Sequence, residues 1–130
     1  MGLACAAADE VPEPVARGTQ GLIAIAFSAE NEGDGILVCS AALAHWYSLD
    51  LGRAGPGRRI EGTLWYDRAD GNLFLLNASQ DRMPVQALWC GSPGQAWTTG
   101  TRVPLDRRIG EVPKPIRLAC APQGGNLACR

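Results

Sequence analysis

Residues 60–76 read IEGTLWYDRADGNLFLL, two β-prone runs joined by a polar turn. The first run, residues 60–67, is rich in β-branched and aromatic side chains, and Leu73–Leu76 returns as its partner. Between the runs lies Ala69-Asp70-Gly71-Asn72, and an Asp-Gly pair suits the positive φ angles of a tight hairpin turn. The segment therefore predicts an antiparallel β-hairpin.

Short apolar runs of the same kind precede this hairpin, and glycine and proline separate them. Residues 21–28 (GLIAIAFS) are apolar on both faces, which predicts a central strand. After the turn at residues 32–35, residues 36–39 are expected to return as the second strand of a hairpin. Residues 40–51 hold alanines that favour a helix and a later alternation that favours a strand. We expect a continuing, bent strand, with a short helical turn as the alternative.

The second half of the chain continues the pattern. Residues 85–90 predict a strand, and residues 102–109 predict a last one, which Pro104 would confine to a sheet edge. Three later prolines are expected to keep the tail irregular: Pro113, Pro115 and Pro122. About six or seven short strands at hairpin spacing predict an all-β fold, a small antiparallel sandwich or barrel stabilised by disulfides.

The start of the chain resembles the end of a secretory signal. Ala6-Ala7-Ala8 precedes an abrupt acidic turn at Asp9-Glu10, as small residues precede a signal cleavage site. We expect residues 1–8 to be the remnant of a signal peptide and residues 9–130 to be a single β-domain. Cys5 falls inside the remnant, and its lipidation is the alternative.

The remaining four cysteines are an even number, which in an exported domain indicates two disulfides. Cys39 and Cys90 each end an apolar strand, whereas Cys120 and Cys129 lie close in sequence around a flexible glycine-rich stretch. Four cysteines allow three pairings, and these positions favour Cys39–Cys90 with Cys120–Cys129. The cysteines point to an exported protein, which we expect in a bacterial periplasm.

The composition argues against several functions. The formal net charge of the 130 residues is −1, so no global field attracts nucleic acid or anionic lipid. No apolar run approaches the roughly 20 residues of a membrane span. One histidine and widely spaced cysteines provide too few ligands for a zinc site. We therefore expect no metal, cofactor or nucleic-acid partner and no membrane span.

Catalytic groups are scarce as well. A nucleophile that needs an imidazole would have to use His45, which precedes Trp46-Tyr47 on an apolar segment and is better explained as a partly buried structural residue. Asp67 and Asp70 flank a turn, and a turn-forming role explains them more simply than a glycosidase pair. The sequence therefore predicts a binding protein rather than an enzyme.

Two segments are candidates for the contact. Trp97 lies in a Gly/Pro-rich loop and is a possible exposed anchor, or it folds back over the sheet edge. Residues 77–83 (NASQDRM) form a polar connection between two apolar strands. Ser79, Gln80 and Asp81 would enter a narrow cleft, and Arg82 and Met83 would pack at its rim. An ordinary solvated hairpin end is the alternative.

Taken together, the truncated leader, the two expected disulfides, the β-pattern and the polar loop at Ser79-Gln80-Asp81-Arg82 resemble the periplasmic immunity proteins of type VI secretion amidases. The resemblance concerns general character over the whole chain rather than a motif. It implies that the chain binds a peptidoglycan-degrading cysteine amidase and that Gln80 and its neighbours block the active-site cleft.

Other functions remain open at this stage. An inhibitor of a lysozyme-type hydrolase belongs to the same class and differs only in its partner. A structural or adhesive component of the cell envelope is a separate class. Homodimer formation through an unpaired sheet edge is also compatible with the sequence.

Overall fold

The structure, a computed structural model, describes residues 17–44, 47–94 and 99–130. Nine strands lie in these ranges, which confirms the all-β prediction. They are β1 (Ile23–Asn31), β2 (Leu37–Leu43), β3 (Ser48–Ala54), β4 (Arg59–Tyr66), β5 (Leu73–Leu76), β6 (Arg82–Gly91), β7 (Thr101–Arg102), β8 (Ile116–Gln123) and β9 (Asn126–Cys129). No helix long and apolar enough to cross a bilayer is found in the described ranges.

The strands form one sheet in the order β3-β2-β6-β5-β4-β1-β8-β9, and β7 pairs with β6. The sheet curls so that its ends approach other strands. Leu51 and Gly52 of β3 lie near Gly62 and Ile60 of β4. At the other end, Thr101 Oγ1 donates to the carbonyl of Leu127 at 3.1 Å and accepts from the Cys129 N–H at 3.0 Å.

The hairpin predicted from residues 60–76 is present as β4 and β5, with Trp65 opposite Phe74 and Tyr66 opposite Leu73. Its connection is a six-residue loop rather than a two-residue turn, because the Asp67 N–H donates to the Asn72 carbonyl at 2.9 Å and so closes a wider ring.

The inner face of the sheet encloses a core, which follows from the alternation along β1 and β4. In β1 the buried positions are Ile25, Phe27, Ala29 and Asn31, every second residue. Both disulfides were predicted correctly. They join residues directly opposite each other in antiparallel pairs: Cys39–Cys90 between β2 and β6, and Cys120–Cys129 between β8 and β9. Two such cross-links are typical of exported proteins.

The predicted hairpin between residues 21–28 and 36–39 is wrong. β1 pairs with β4 and β8, whereas β2 pairs with β3 and β6. Asn31 explains the difference, since its buried amide donates to the carbonyls of Gly35 and Ala54 at 2.7 and 2.9 Å and its oxygen accepts from the Gly33 N–H at 2.9 Å. These bonds hold a wide loop that carries the chain into a different part of the sheet.

The continuing strand predicted for residues 40–51 is also wrong. It is two strands, β2 and β3, which pair with each other in antiparallel register. The Leu43 N–H donates to the Tyr47 carbonyl at 2.8 Å, which closes the connection between them.

The C-terminal third differs most from expectation. The edge strand predicted for residues 102–109 is limited to the two residues of β7, Thr101–Arg102. Pro104 has no N–H to donate to a neighbouring strand, so the pairing cannot continue past it. The tail is irregular at Pro113 and Pro115, as expected, but from Ile116 onward it forms β8 and β9. Its Pro122 is tolerated because β1 pairs with β8 only as far as Cys120. The β1–β8 pair is parallel, which departs from the expected antiparallel arrangement.

Candidate functional site

The predicted contact loop connects β5 to β6. Leu76 lies opposite Arg82 in the hairpin register, so the loop consists of residues 77–81. Arg82 and Met83 belong to β6 rather than to the loop, and Met83 is half-buried against the core. Ser79 and Gln80 are exposed at the tip, whereas Asp81 and Arg82 are half-buried.

Asn77 organises this loop from within. Its side-chain oxygen accepts from the N–H groups of both Ser79 and Asp81 at 2.9 Å. Its amide donates to the Asp81 carboxylate at 3.1 Å, and the Gln80 N–H donates to its carbonyl at 2.9 Å. An Asn side chain that bonds backbone two residues ahead is a standard turn former. The loop is therefore internally braced.

Gln80 has a φ of 65° and is the single non-glycine residue with a positive φ in the part of the chain that the structure describes. This left-handed conformation is unfavourable for most side chains. Residues held in such conformations cluster at functional sites, where the surrounding structure fixes them. Here the Asn77 bonds provide that constraint.

Asp81 and Arg82 hold the segment that precedes β1. The Arg17 guanidinium lies 2.7 Å from the Asp81 carboxylate. Arg82 donates to the carbonyls of Gly18 at 2.9 Å and Gln20 at 2.6 Å. The bond from Asn77, followed by that from Arg17, lowers the pKa of Asp81 below its ordinary value. Both charged side chains are thus engaged within the molecule, and Ser79 and Gln80 remain as the outward groups.

Two of the other sequence candidates, Asp67 and Asp70, can be placed. Asp67 accepts the Ala69 N–H at 2.9 Å, and Asp70 accepts the Asn72 N–H at 2.9 Å, so both carboxylates form turn contacts. Trp97 and His45 lie outside the described residues. Within the described ranges no group of three His, Cys, Asp or Glu side chains is placed to hold a metal ion.

A second surface was missed at the sequence level. Residues 103–115, here called the strap, run across the sheet after β7. The Val103 N–H donates to the Leu88 carbonyl at 2.8 Å and fixes one end. Farther along, the buried Tyr66 hydroxyl donates to the Arg108 carbonyl, and the Gly110 N–H donates to the Arg68 carbonyl at 3.1 Å. The strap is therefore attached to the β4–β5 hairpin.

The charges of the strap form a small network. Arg108 lies 2.8 Å from the Asp106 carboxylate and 2.5 Å from that of Glu111. The side-chain and backbone hydrogen bonds from Arg108 lower the pKa of Asp106 to about 2. Asp106 is therefore ionised at physiological pH, and this network of one guanidinium and two carboxylates carries a net charge of −1.

A cleft of about 650 Å³ opens beside the strap. Its floor consists of buried aliphatic side chains, among them Ile25 and Leu64, and its rim carries Asp106, Arg108, Glu111 and Lys114. The tip of the strap is apolar and exposed, since Ile109 is 70% and Val112 42% accessible. The sequence feature that could have indicated this exposed tip is the pair Ile109-Gly110, which lies between Pro104 and Pro113.

Comparison with known protein families, curated proteins and solved structures finds no match.

Proposed function

We propose that the protein binds and inhibits a periplasmic peptidoglycan-degrading cysteine amidase of the type VI secretion kind, and that Ser79 and Gln80 enter its active-site cleft. The observation that carries the proposal is the braced loop of residues 77–81, with Gln80 held at a positive φ. Binding an active site would protect the cell that makes the inhibitor.

Preorganisation is the first support. A loop that is already ordered loses little conformational entropy on binding, so more of the contact energy appears as affinity. Asn77 supplies three side-chain hydrogen bonds to this loop. Asp81 and Arg82 add contacts to residues 17–20. The tip is therefore suited to insertion without rearrangement.

The chemistry of the tip is the second support. The Gln80 amide has two N–H donors and a carbonyl acceptor, and the Ser79 hydroxyl donates and accepts. Either group can hydrogen-bond a catalytic imidazole. The two disulfides are the third support, because they suit an oxidising compartment such as the periplasm.

Culture lysis provides the test of the function. The product of the neighbouring gene is directed to the bacterial periplasm, with and without this chain, and the turbidity of the culture is followed. We expect lysis in the absence of the chain and its suppression in its presence. If the product of the neighbouring gene causes no lysis, or if lysis occurs whether or not the chain is present, the alternative of an envelope-binding protein is favoured.

A binding titration tests the loop separately. Gln80→Ala should raise the Kd for the amidase at least about tenfold, the effect of losing one central contact. The matched control is Gln123→Ala, because Gln123 is also an exposed glutamine at a β-hairpin turn. Equal affinities for the two variants would show that the loop does not contact the amidase. Protection from lysis would still support the inhibitor function.

A further inference from the structure

We infer that residues 107–112 of the strap form a second contact surface for the same partner, with Ile109 entering an apolar pocket that has an acidic rim. The inference rests on the proposed function and extends it to a surface that the sequence did not indicate. These six residues are all exposed, although they lie in the middle of a loop fixed at both sides.

Ile109 differs from an ordinary exposed aliphatic residue in the way its backbone is held. The residue before it accepts the Tyr66 hydroxyl through its carbonyl. The residue after it donates its N–H to the Arg68 carbonyl at 3.1 Å. Both flanking peptide units are therefore fixed to the β4–β5 hairpin. Single exposed hydrophobic residues are common on protein surfaces, but this one is presented by a constrained backbone.

The β4–β5 loop is shaped to receive the strap. Gly71 has a φ of 79°, and a Cβ added there would lie 2.2 Å from the Arg107 carbonyl oxygen. Glycine at this position thus permits the strap backbone to approach the hairpin closely. Close approach leaves the Ile109 side chain directed away from the core, where it is 70% accessible.

The charges beside Ile109 indicate the chemistry of the pocket. Arg108 is paired with two carboxylates, those of Asp106 and Glu111. Arg107 donates instead to the uncharged Gln86 carbonyl, and no ion pair within the described ranges includes it. The Arg107 charge is therefore available to a carboxylate of the partner. A complementary pocket combines apolar walls with a carboxylate at its rim, and arginine beside a buried aliphatic group is typical of interface centres.

One partner can contact both surfaces. The strap is attached at Arg68, at one end of β5, and the loop of residues 77–81 lies at the other end. β5 contains four residues, Leu73–Leu76, so the loops lie roughly 15–20 Å apart along the strand direction. A standard interface of about 800 Å² per partner is about 30 Å across, which is wide enough to include both.

The test is a calorimetric titration of the full chain with the neighbouring gene's amidase, its catalytic cysteine replaced by alanine. Ile109→Asp should raise the Kd at least about tenfold. Ile36→Asp is the matched control, since Ile36 is also an exposed aliphatic residue, 46% accessible, but lies between β1 and β2. It should change the Kd less than about twofold. Unfolding midpoints of both variants should match the wild type, because neither side chain belongs to the core.

Arg107→Met tests the acidic rim. The variant keeps the aliphatic stem and loses the charge, so its affinity should depend less on salt concentration than that of the wild type. Tight binding of the amidase by Ile109→Asp, or an unchanged salt dependence in Arg107→Met, would overturn this inference while leaving the inhibitor function intact. A wild-type chain that binds no amidase would overturn both.

Discussion

The two disulfides should contribute unequally to stability, although each joins directly opposite residues of one antiparallel strand pair. Cys39–Cys90 closes a loop with a sequence separation of 51, whereas Cys120–Cys129 closes one of 9. In the chain-entropy model a cross-link destabilises the unfolded chain by an amount that grows with the logarithm of the loop length. The longer loop should therefore contribute more.

The expected magnitudes follow from these separations. The entropy expression gives about 4 kcal/mol for the Cys39–Cys90 bridge and about 2.5 kcal/mol for Cys120–Cys129 at 25 °C. The difference of about 1.5 kcal/mol depends only on the ratio of loop lengths. With an m value of about 1.5 kcal/mol per molar urea, the two variants should differ by about 1 M in midpoint.

The assay is urea unfolding of two double variants, Cys39→Ala with Cys90→Ala, and Cys120→Ala with Cys129→Ala. The wild type is unfolded in parallel with and without a reductant, which separates the cross-link from the loss of sulfur atoms in the core. Cys39, Cys90 and Cys120 are buried and Cys129 is half-buried, so a cavity cost is present in each variant and is larger for the Cys39–Cys90 pair. If the short-loop variant loses as much stability as the long-loop variant, the entropic argument is refuted.

Three further perturbations follow from the fold. Asn31→Ala should cost about 3 kcal/mol in urea unfolding, because three backbone groups lose their buried partner. Gly71→Ala should cost about 2–3 kcal/mol by the same assay, since both its φ and the Arg107 carbonyl oppose a side chain; Gly57→Ala, with a similar φ and open space, should cost less. The pKa of Asp106 is lowered to about 2, so its contribution is complete above about pH 4 and is lost as the pH falls toward 2. Asp106→Asn should flatten the pH dependence of stability within that window, and an unchanged slope would contradict this.

The elements that could be predicted from the sequence are those decided by neighbouring residues. The β4–β5 hairpin follows from two β-prone runs and an Asp-Gly turn, and β6 follows from its own alternation. The disulfides were within reach because Cys39 and Cys90 each follow an apolar run, and Cys120 and Cys129 are separated by only 9 positions around a glycine-rich turn. The hairpin is decided by neighbouring residues, and the disulfides required only a choice among three pairings.

Long-range strand pairing was not predictable by the same means. β1 pairs in parallel with β8, and Phe27 faces Ile116 across most of the chain length. No turn residue specifies such a contact. The buried Asn31 decides where the chain goes after β1, yet its three partners include the Ala54 carbonyl, 23 residues away. A polar residue at the end of an apolar run gave no indication that it would be buried.

The candidate site illustrates a related limit. Asp81 and Arg82 are charged residues of a polar loop, and the sequence favoured them as contact groups with Ser79 and Gln80. In the structure both bind residues 17–20. Sequence could not reveal this, because the segment they hold is more than 60 residues away.

The strap and the loop of residues 77–81 share one arrangement, in which some groups form bonds within the molecule and others point outward. In each loop, hydrogen bonds within the molecule hold the backbone, and uncharged side chains remain outward at the tip: Ser79 and Gln80 in one, Ile109 in the other. Exposed ion pairs contribute little to stability individually, but they restrict a loop to one conformation, which matters for binding. Arg107 lies two residues from Ile109, and its charge has no carboxylate partner among the described ion pairs. The salt dependence of partner binding should therefore arise mainly from this one residue, and the affinity mainly from the uncharged tips.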